Sequence, residues 1–205
     1  MDFYFIRHGE TPMRSSATYN REKRTADPPL TEKGIEQARL LSKRCASIPF
    51  DRIIASDLVR AVHTASILAE NQRCAVETDS RLREIDMGEL YQRVWSDFPA
   101  EYAEFLKHEH DVPYPGGECG ADVWLRVSEW MNEIREEGGN RFAVVCHSGI
   151  IRSVACGILN IPQQRRFFLG DPPMNCSLSV IRFAERNAYL HTLNDHAHLG
   201  DFSRS

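Results

Sequence analysis

Along this chain, short buried runs repeatedly lead directly into helical patterns. The run "FYFI" (residues 3–6) is apolar, aromatic and β-branched, and a glycine turn bounds it, so it reads as a buried strand. "LTEKGIEQARLLSKRCA" follows a Pro-Pro break, with Thr31 placed as N-cap and Ile35, Ala38, Leu41 and Cys45 on one face. "DRIIAS" is again strand-like and runs into "DLVRAVHTASILAEN", a helix opened by Ser56 whose core stripe is Leu58, Ala61 or Val62, Ala65 and Leu68. "RFAVVCHSGIIRSVACGIL" repeats the step a third time. Alternation of this kind predicts an α/β fold, a mostly parallel central sheet with helices on both faces.

Residues 87 to 119 break the pattern. They are rich in aromatics and charges, carry a short helical pattern after Asp97, close with Pro-Gly-Gly, and read as a lid insertion. An amphipathic helix from about Ala121 to Glu137 follows and ends at two glycines. Trp124, Trp130 and Met131 on it are expected to pack. "CSLSVIRFAERNAYLHTLN" alternates as two strands joined by a tight turn around Arg186 and Asn187. No repeat or linker divides the chain. With 205 residues, 42% of them hydrophobic, residues 1–205 are expected to form one domain around a substantial core.

Composition excludes several classes. The formal charge of −4, without a basic block, argues against nucleic acid or an anionic membrane as partner, and "REKR" (Arg21 to Arg24) reads as a solvated loop. The opening lacks a charged leader and no segment approaches membrane-spanning length, which predicts a cytosolic protein. Six cysteines (Cys45, Cys74, Cys119, Cys146, Cys156, Cys176) never form a C-x-x-C pair, so reduced, mostly buried thiols are expected. His108, His110, His191, His196 and His198 are loosely spaced, with no carboxylate or thiolate completing a ligand set, and neither a metal nor another cofactor is expected. Nothing in the sequence fixes an oligomeric state.

Ligands of an open parallel sheet collect beyond the carboxyl ends of its strands. Three segments fall there: "RHG" after the first strand, "AS" before the second helix and "CHSG" after "FAVV". Arg60 and Thr64, four apart, share a helix face opposite the apolar stripe, from which Arg60 can reach the same crevice. Cys146 points to the other side of its strand and is expected in the core. Glu84 in "SRLREID" has charged neighbours in Arg81, Arg83 and Asp86, so a plain salt-bridged carboxylate competes with a functional one.

Taken in order, "RHGET", "LTEKGIEQA", "ASDLVRAVHTA", "LREIDMGE", "YPGGEC" and "VVCHSGIIR" resemble the histidine phosphatase superfamily, the phosphoglycerate mutase-like group. The resemblance implies a three-layer αβα sandwich. It implies His8 as the nucleophile that carries a phosphoryl group, Arg7, Arg60 and His147 as its clamp, and Glu84 as general acid. Gly9, Thr11, Arg14 and Ser148 are then expected near the substrate, with Gly9 letting the backbone turn closely beneath the imidazole. Arg14 takes the place where many relatives carry asparagine, the tryptophan-glutamate-glycine that often follows the acid is replaced by "ELYQ" after Gly88, and Cys119 stands where serine is common.

Physical chemistry suits those roles. A neutral imidazole is a competent nucleophile once its other nitrogen is fixed as a donor, and guanidinium forks match phosphoryl oxygens. In layout the chain is similar to α-ribazole phosphatases, metal-independent phosphoserine phosphatases and broad-specificity phosphatases. The resemblance therefore implies a metal-independent phosphatase acting on a small phosphate ester. A phosphoglycerate mutase-type isomerase is the alternative, and a non-catalytic regulator ranks behind it because all five catalytic positions are filled.

Overall fold

The computed structural model describes residues 1–12, 18–23, 25–185 and 187–203. A six-stranded sheet forms the middle layer. Its strands are β1 (Asp2–Arg7), β4 (Arg52–Ala55), β5 (Val76–Thr78), β6 (Arg141–Cys146), β7 (Leu178–Ala184) and β8 (Asn187–Asp195), in the order β5-β4-β6-β1-β7-β8. The first four of that order are mutually parallel, and β7 and β8 add an antiparallel hairpin beside β1. A separate two-stranded ribbon pairs β2 (Tyr19–Asn20) with β3 (Thr25–Ala26), an element too short for periodicity to reveal.

Strand alternation divides the core in two. Phe3, Phe5, Phe142, Val144 and Cys146 face one layer, packed against α4 (Gly120–Glu137) and α5 (Ser148–Ile158) through Val127, Trp130, Met131 and Ile150. Ile6, Ile53, Ala143 and Val145 face the other, against α1 (Glu32–Cys45) and α2 (Val59–Ala69) through Ala38, Leu41, Ala61, Ala65 and Leu68. The result is the expected three-layer αβα sandwich. Burial of each such side chain contributes about 1.5–3 kcal/mol, so both layers are held firmly.

Thr31 caps α1 as expected, its Oγ1 accepting the Gly34 amide at 3.0 Å. α2 departs from expectation at its start. It begins at Val59, not at Ser56, and the Val59 amide donates to Asp27 Oδ1 at 2.7 Å, so the cap comes from the β2–β3 ribbon. Residues 87–119 hold α3 (Pro99–Lys107), ended by His108 in the left-handed conformation, with Trp95 in ring contact with Tyr102, Phe105 and Tyr114. All six cysteines are free; four are buried, and Cys74 and Cys119 are half-buried. No helix among the described residues is long and apolar enough to cross a membrane.

The loop leaving β1 lies directly on α1. A β-carbon built on Gly34 would stand 2.2 Å from the Glu10 carbonyl oxygen, and one on Gly9 would stand 2.5 Å from the Gly34 carbonyl oxygen. Gly9 is thus required by the approach of α1, not by a turn beneath the imidazole. Gly34→Ala is expected to lower stability by about 1–3 kcal/mol through overpacking and, for a chain of this size, to lower Tm by roughly 2–4 °C per kcal/mol. Differential scanning calorimetry checks this; an unchanged Tm would mean that the two backbones separate freely.

Candidate active site

Register builds the site. Arg7 ends β1 opposite Cys146 at the end of β6, and Ala55 ends β4 opposite Val145, so the residues that follow emerge at one rim. Adjacent strands lie about 4.8 Å apart. The His8 and His147 rings follow that spacing, with centroids 5.1 Å apart. Both are buried, at 6% and 0% exposure.

His8 has a defined tautomer. Its Nδ1 lies 2.7 Å from the Gly9 carbonyl oxygen, which can only accept, so Nδ1 carries the proton and Nε2 presents a lone pair. That lone pair accepts from Arg60 Nε at 3.2 Å. Arg60 also reaches His147 Nδ1 with NH2 at 3.2 Å and donates through NH1 to the Ala26 carbonyl at 2.7 Å, with Asp27 Oδ1 at 3.7 Å. As Nδ1 of His147 is then an acceptor, the neutral ring holds its proton on Nε2.

Arg60 and Thr64 share a helix face as expected, and both are buried, at 5% and 0% exposure. That face turns toward the rim and is covered by the β2–β3 ribbon. Thr64 Oγ1 accepts the Gly9 amide at 3.0 Å and donates to the Arg60 carbonyl at 2.8 Å, tying the loop after His8 to the helix that carries Arg60. Asn175 Nδ2 donates to the His8 carbonyl at 2.8 Å. Sequence reasoning missed Asn175; it precedes Cys176, whose left-handed φ of 58° turns the chain into β7.

Arg7, half-buried, donates through NH1 to the Pro173 carbonyl at 2.6 Å. Ser148 opens α5, for which His147 is the N-cap, and Thr11 lies half-buried on the loop after β1. Arg14 falls outside the described residues.

Glu84 lies beyond the carboxyl end of β5 and is 8% exposed. Its carboxylate accepts the Ile85 amide at 2.9 Å and the Gly149 amide, in the first turn of α5, at 3.0 Å. The neighbouring arginines are committed elsewhere. Arg81 pairs with Asp79 and Glu133, and Arg83 grips Asp57 with two bonds, holding that carboxyl below the usual carboxylate range. Both arginines thus spend their guanidinium groups on other carboxylates, and α5 holds the Glu84 carboxylate through the Gly149 amide.

Cys146 is fully buried on the opposite core face, and desolvation pushes its thiol far above the ordinary cysteine range. One expectation about ligand sets needs correction. Glu104, Glu109 and His110 offer ligand atoms within 4.8 Å of one another, so carboxylates do join one histidine. That group lies on and just after α3, and Glu104 is already paired with Lys107 at 2.6 Å.

The chain matches the model of the histidine phosphatase superfamily (branch 1) over residues 3–196. It is 31% identical over 202 residues to phosphoserine phosphatase 1 of Hydrogenobacter thermophilus, a match covering 96% of this chain and 93% of that protein. It is 34% identical over 195 residues to a probable phosphoglycerate mutase GpmB of Salmonella choleraesuis, covering 90% and 86% respectively. Among solved structures, a mycobacterial glucosyl-3-phosphoglycerate phosphatase in complex with VO3 superimposes with a TM-score of 0.78 at 26% identity, covering 94% of this chain and 98% of the other. A family model matched almost end to end, around two buried histidines bridged by one arginine, places this chain in the histidine phosphatase superfamily, as a phosphatase of that family.

Proposed function

We propose that this protein hydrolyses a small phosphomonoester through a phosphohistidine at His8. The supporting observation is the His8 tautomer: Nδ1 donates to its own loop while Nε2 keeps a lone pair at the rim, beside the Arg60 guanidinium and His147. In this arrangement Arg60 covers the lone pair until phosphoryl oxygens draw the guanidinium off it. Nε2 then forms a bond to phosphorus as the ester P–O bond breaks. Arg7, Arg60 and His147 take the charge on the equatorial oxygens, which is the main demand of phosphoryl transfer and asks for no metal in this reading.

Glu84 gives its proton to the departing alkoxide, then accepts one from the water that attacks the phosphohistidine. The P–N bond breaks, its electron pair returns to Nε2, and inorganic phosphate leaves. Arg14, Ser148, Gly9 and Thr11 are proposed to surround the bound ester. Residues 1–205 are proposed to work as one histidine phosphatase domain, with residues 87–119 as a lid. The ring contacts among Trp95, Tyr102, Phe105 and Tyr114 support a segment with a packed interior, and the Asp111–Arg166 contact at 2.5 Å ties it to residues 163–168. Six free thiols suit a reducing cytosol.

The test is phosphate release from a set of phosphorylated metabolites in the presence of a chelator. Steady release supports the phosphatase; little release, with isomerisation that needs a bisphosphorylated primer, would support the mutase instead. Glu84→Gln is expected to lower kcat on alkyl phosphates about 10²- to 10⁴-fold, and far less on p-nitrophenyl phosphate, whose leaving group departs without a proton. An equal loss on both substrates would remove Glu84 from the acid role.

A further inference from the structure

We propose that Gln37, Thr64 and Asn175 are positioning residues for the nucleophile, which hold the two peptides after β1 so that the Gly9 carbonyl keeps the His8 proton on Nδ1. The inference rests on the phosphatase reading, in which Nε2 of His8 attacks phosphorus.

Strand pairing reaches as far as the Arg7–His8 peptide: the His8 amide donates to the Cys146 carbonyl at 3.0 Å, and the Arg7 carbonyl accepts the Cys176 amide at 2.8 Å. Side chains bind the next two peptides. The His8–Gly9 peptide is gripped at both poles, its carbonyl accepting from Asn175 Nδ2 at 2.8 Å and its amide donating to Thr64 Oγ1 at 3.0 Å. In the Gly9–Glu10 peptide the amide donates to Gln37 Oε1 at 2.9 Å, while the carbonyl is the acceptor for His8 Nδ1 at 2.7 Å. The dihedrals between the His8 α-carbon and that carbonyl are ψ of His8 and φ and ψ of Gly9. Glycine restrains its own dihedrals least of all residues, so the side chains that hold these peptides set where the carbonyl points.

Gln37 and Thr64 are buried, at 2% and 0% exposure, on α1 and α2, and Asn175 comes from the loop before β7. Any buried amide or hydroxyl needs a partner, but these converge from separate elements on the consecutive peptides beside His8. Thr64 reaches further, since its hydroxyl donates to the Arg60 carbonyl at 2.8 Å and so ties the nucleophile's loop to the helix that carries the phosphoryl clamp. In the resting site Arg60 Nε favours the same tautomer by donating to Nε2 at 3.2 Å. Once phosphoryl oxygens draw the guanidinium away that support is gone, and the bond to the Gly9 carbonyl keeps the proton on Nδ1. If the carbonyl turns, the proton can pass to Nε2, which removes the attacking lone pair.

The near-isosteric variants Gln37→Leu, Thr64→Val and Asn175→Leu are each expected to lower kcat about 10- to 100-fold with KM within about threefold, as misplacement of a reacting group does without loss of binding. The loss in kcat/KM should be equal on alkyl phosphates and on p-nitrophenyl phosphate, unlike that of Glu84→Gln, because both need the nucleophile. Thr64→Ser keeps the hydroxyl and is expected to recover most of what Thr64→Val loses. Nitrogen NMR of protein labelled in its histidine rings, with inorganic phosphate bound and His8 assigned by comparison with His8→Ala, reads the tautomer. Nδ1 should be protonated in the unsubstituted protein, and the His8 signals of the variants should move toward a mixture of both tautomers. Asn175 is only half-buried, so its variant carries the test even where Gln37→Leu or Thr64→Val fails to fold. Lower melting temperatures with kcat and the His8 signals unchanged would make these residues structural only, overturning the inference while the phosphatase stands. A fall in kcat that Thr64→Ser does not recover, with the His8 signals unchanged, also overturns it, because the loss then arises elsewhere. No phosphate release by the unsubstituted protein from alkyl phosphates or p-nitrophenyl phosphate overturns both readings.

Discussion

His8→Ala is expected to lower kcat/KM for phosphate release by on the order of 10⁴-fold or more, since groups acting as one nucleophilic unit fail together. No other described side chain at the rim can replace it. His147 is the only other imidazole there among the described residues, and its Nδ1 is committed to Arg60. The substitution should leave the loop in place, because Asn175 holds the His8 carbonyl and Thr64 holds the Gly9 amide through backbone atoms. Rapid mixing with labelled substrate, quenched in base, should trap a phosphoenzyme in the unsubstituted protein that is lost in acid, as P–N bonds are. The same label appearing on His8→Ala, or activity within tenfold, would end the proposed mechanism. A melting curve close to the unsubstituted one separates lost chemistry from lost folding.

The second large effect is expected at Arg60. Arg60→Ala should lower kcat by about 10²- to 10³-fold, or roughly 3–4 kcal/mol of transition-state stabilisation. Arg60→Lys should recover less than tenfold of that. A lysine restores the charge, but one ammonium cannot address His8, His147 and the Ala26 carbonyl from a planar fork. The geometry predicts a further signature. Arg60 joins the ribbon to the rim, so Arg60→Ala should also lower stability by about 1–3 kcal/mol, as an unpaired buried carbonyl does. Asp27 keeps Lys23 and the Val59 amide, so its buried carboxylate is not stranded. Full recovery of kcat by lysine would show that point charge alone matters at this position.

Much of this was legible before folding. The Thr31 cap, the apolar face of α1 and the stripe Leu58, Ala61, Ala65 and Leu68 all follow from local spacing, and each residue of that stripe is fully buried. The start of α2 was not legible. A cap at Ser56 was the local solution, whereas the actual cap is Asp27, 32 residues away. For the same reason the burial of Arg60 and Thr64 beneath the ribbon was not legible. Periodicity distinguishes polar from apolar faces, but cannot tell a polar face in water from one turned toward a site.

The sequence alone determined the strand-to-helix alternation, the rim positions of His8 and His147 and the presence of an arginine within reach. These follow from interactions between near neighbours, which a linear pattern records. Only the tertiary structure decided the tautomer of His8 and the backbone partners of Glu84. Each depends on hydrogen bonds between residues such as 60 and 8 or 149 and 84, whose meeting is set by strand register and helix packing rather than by spacing along the chain.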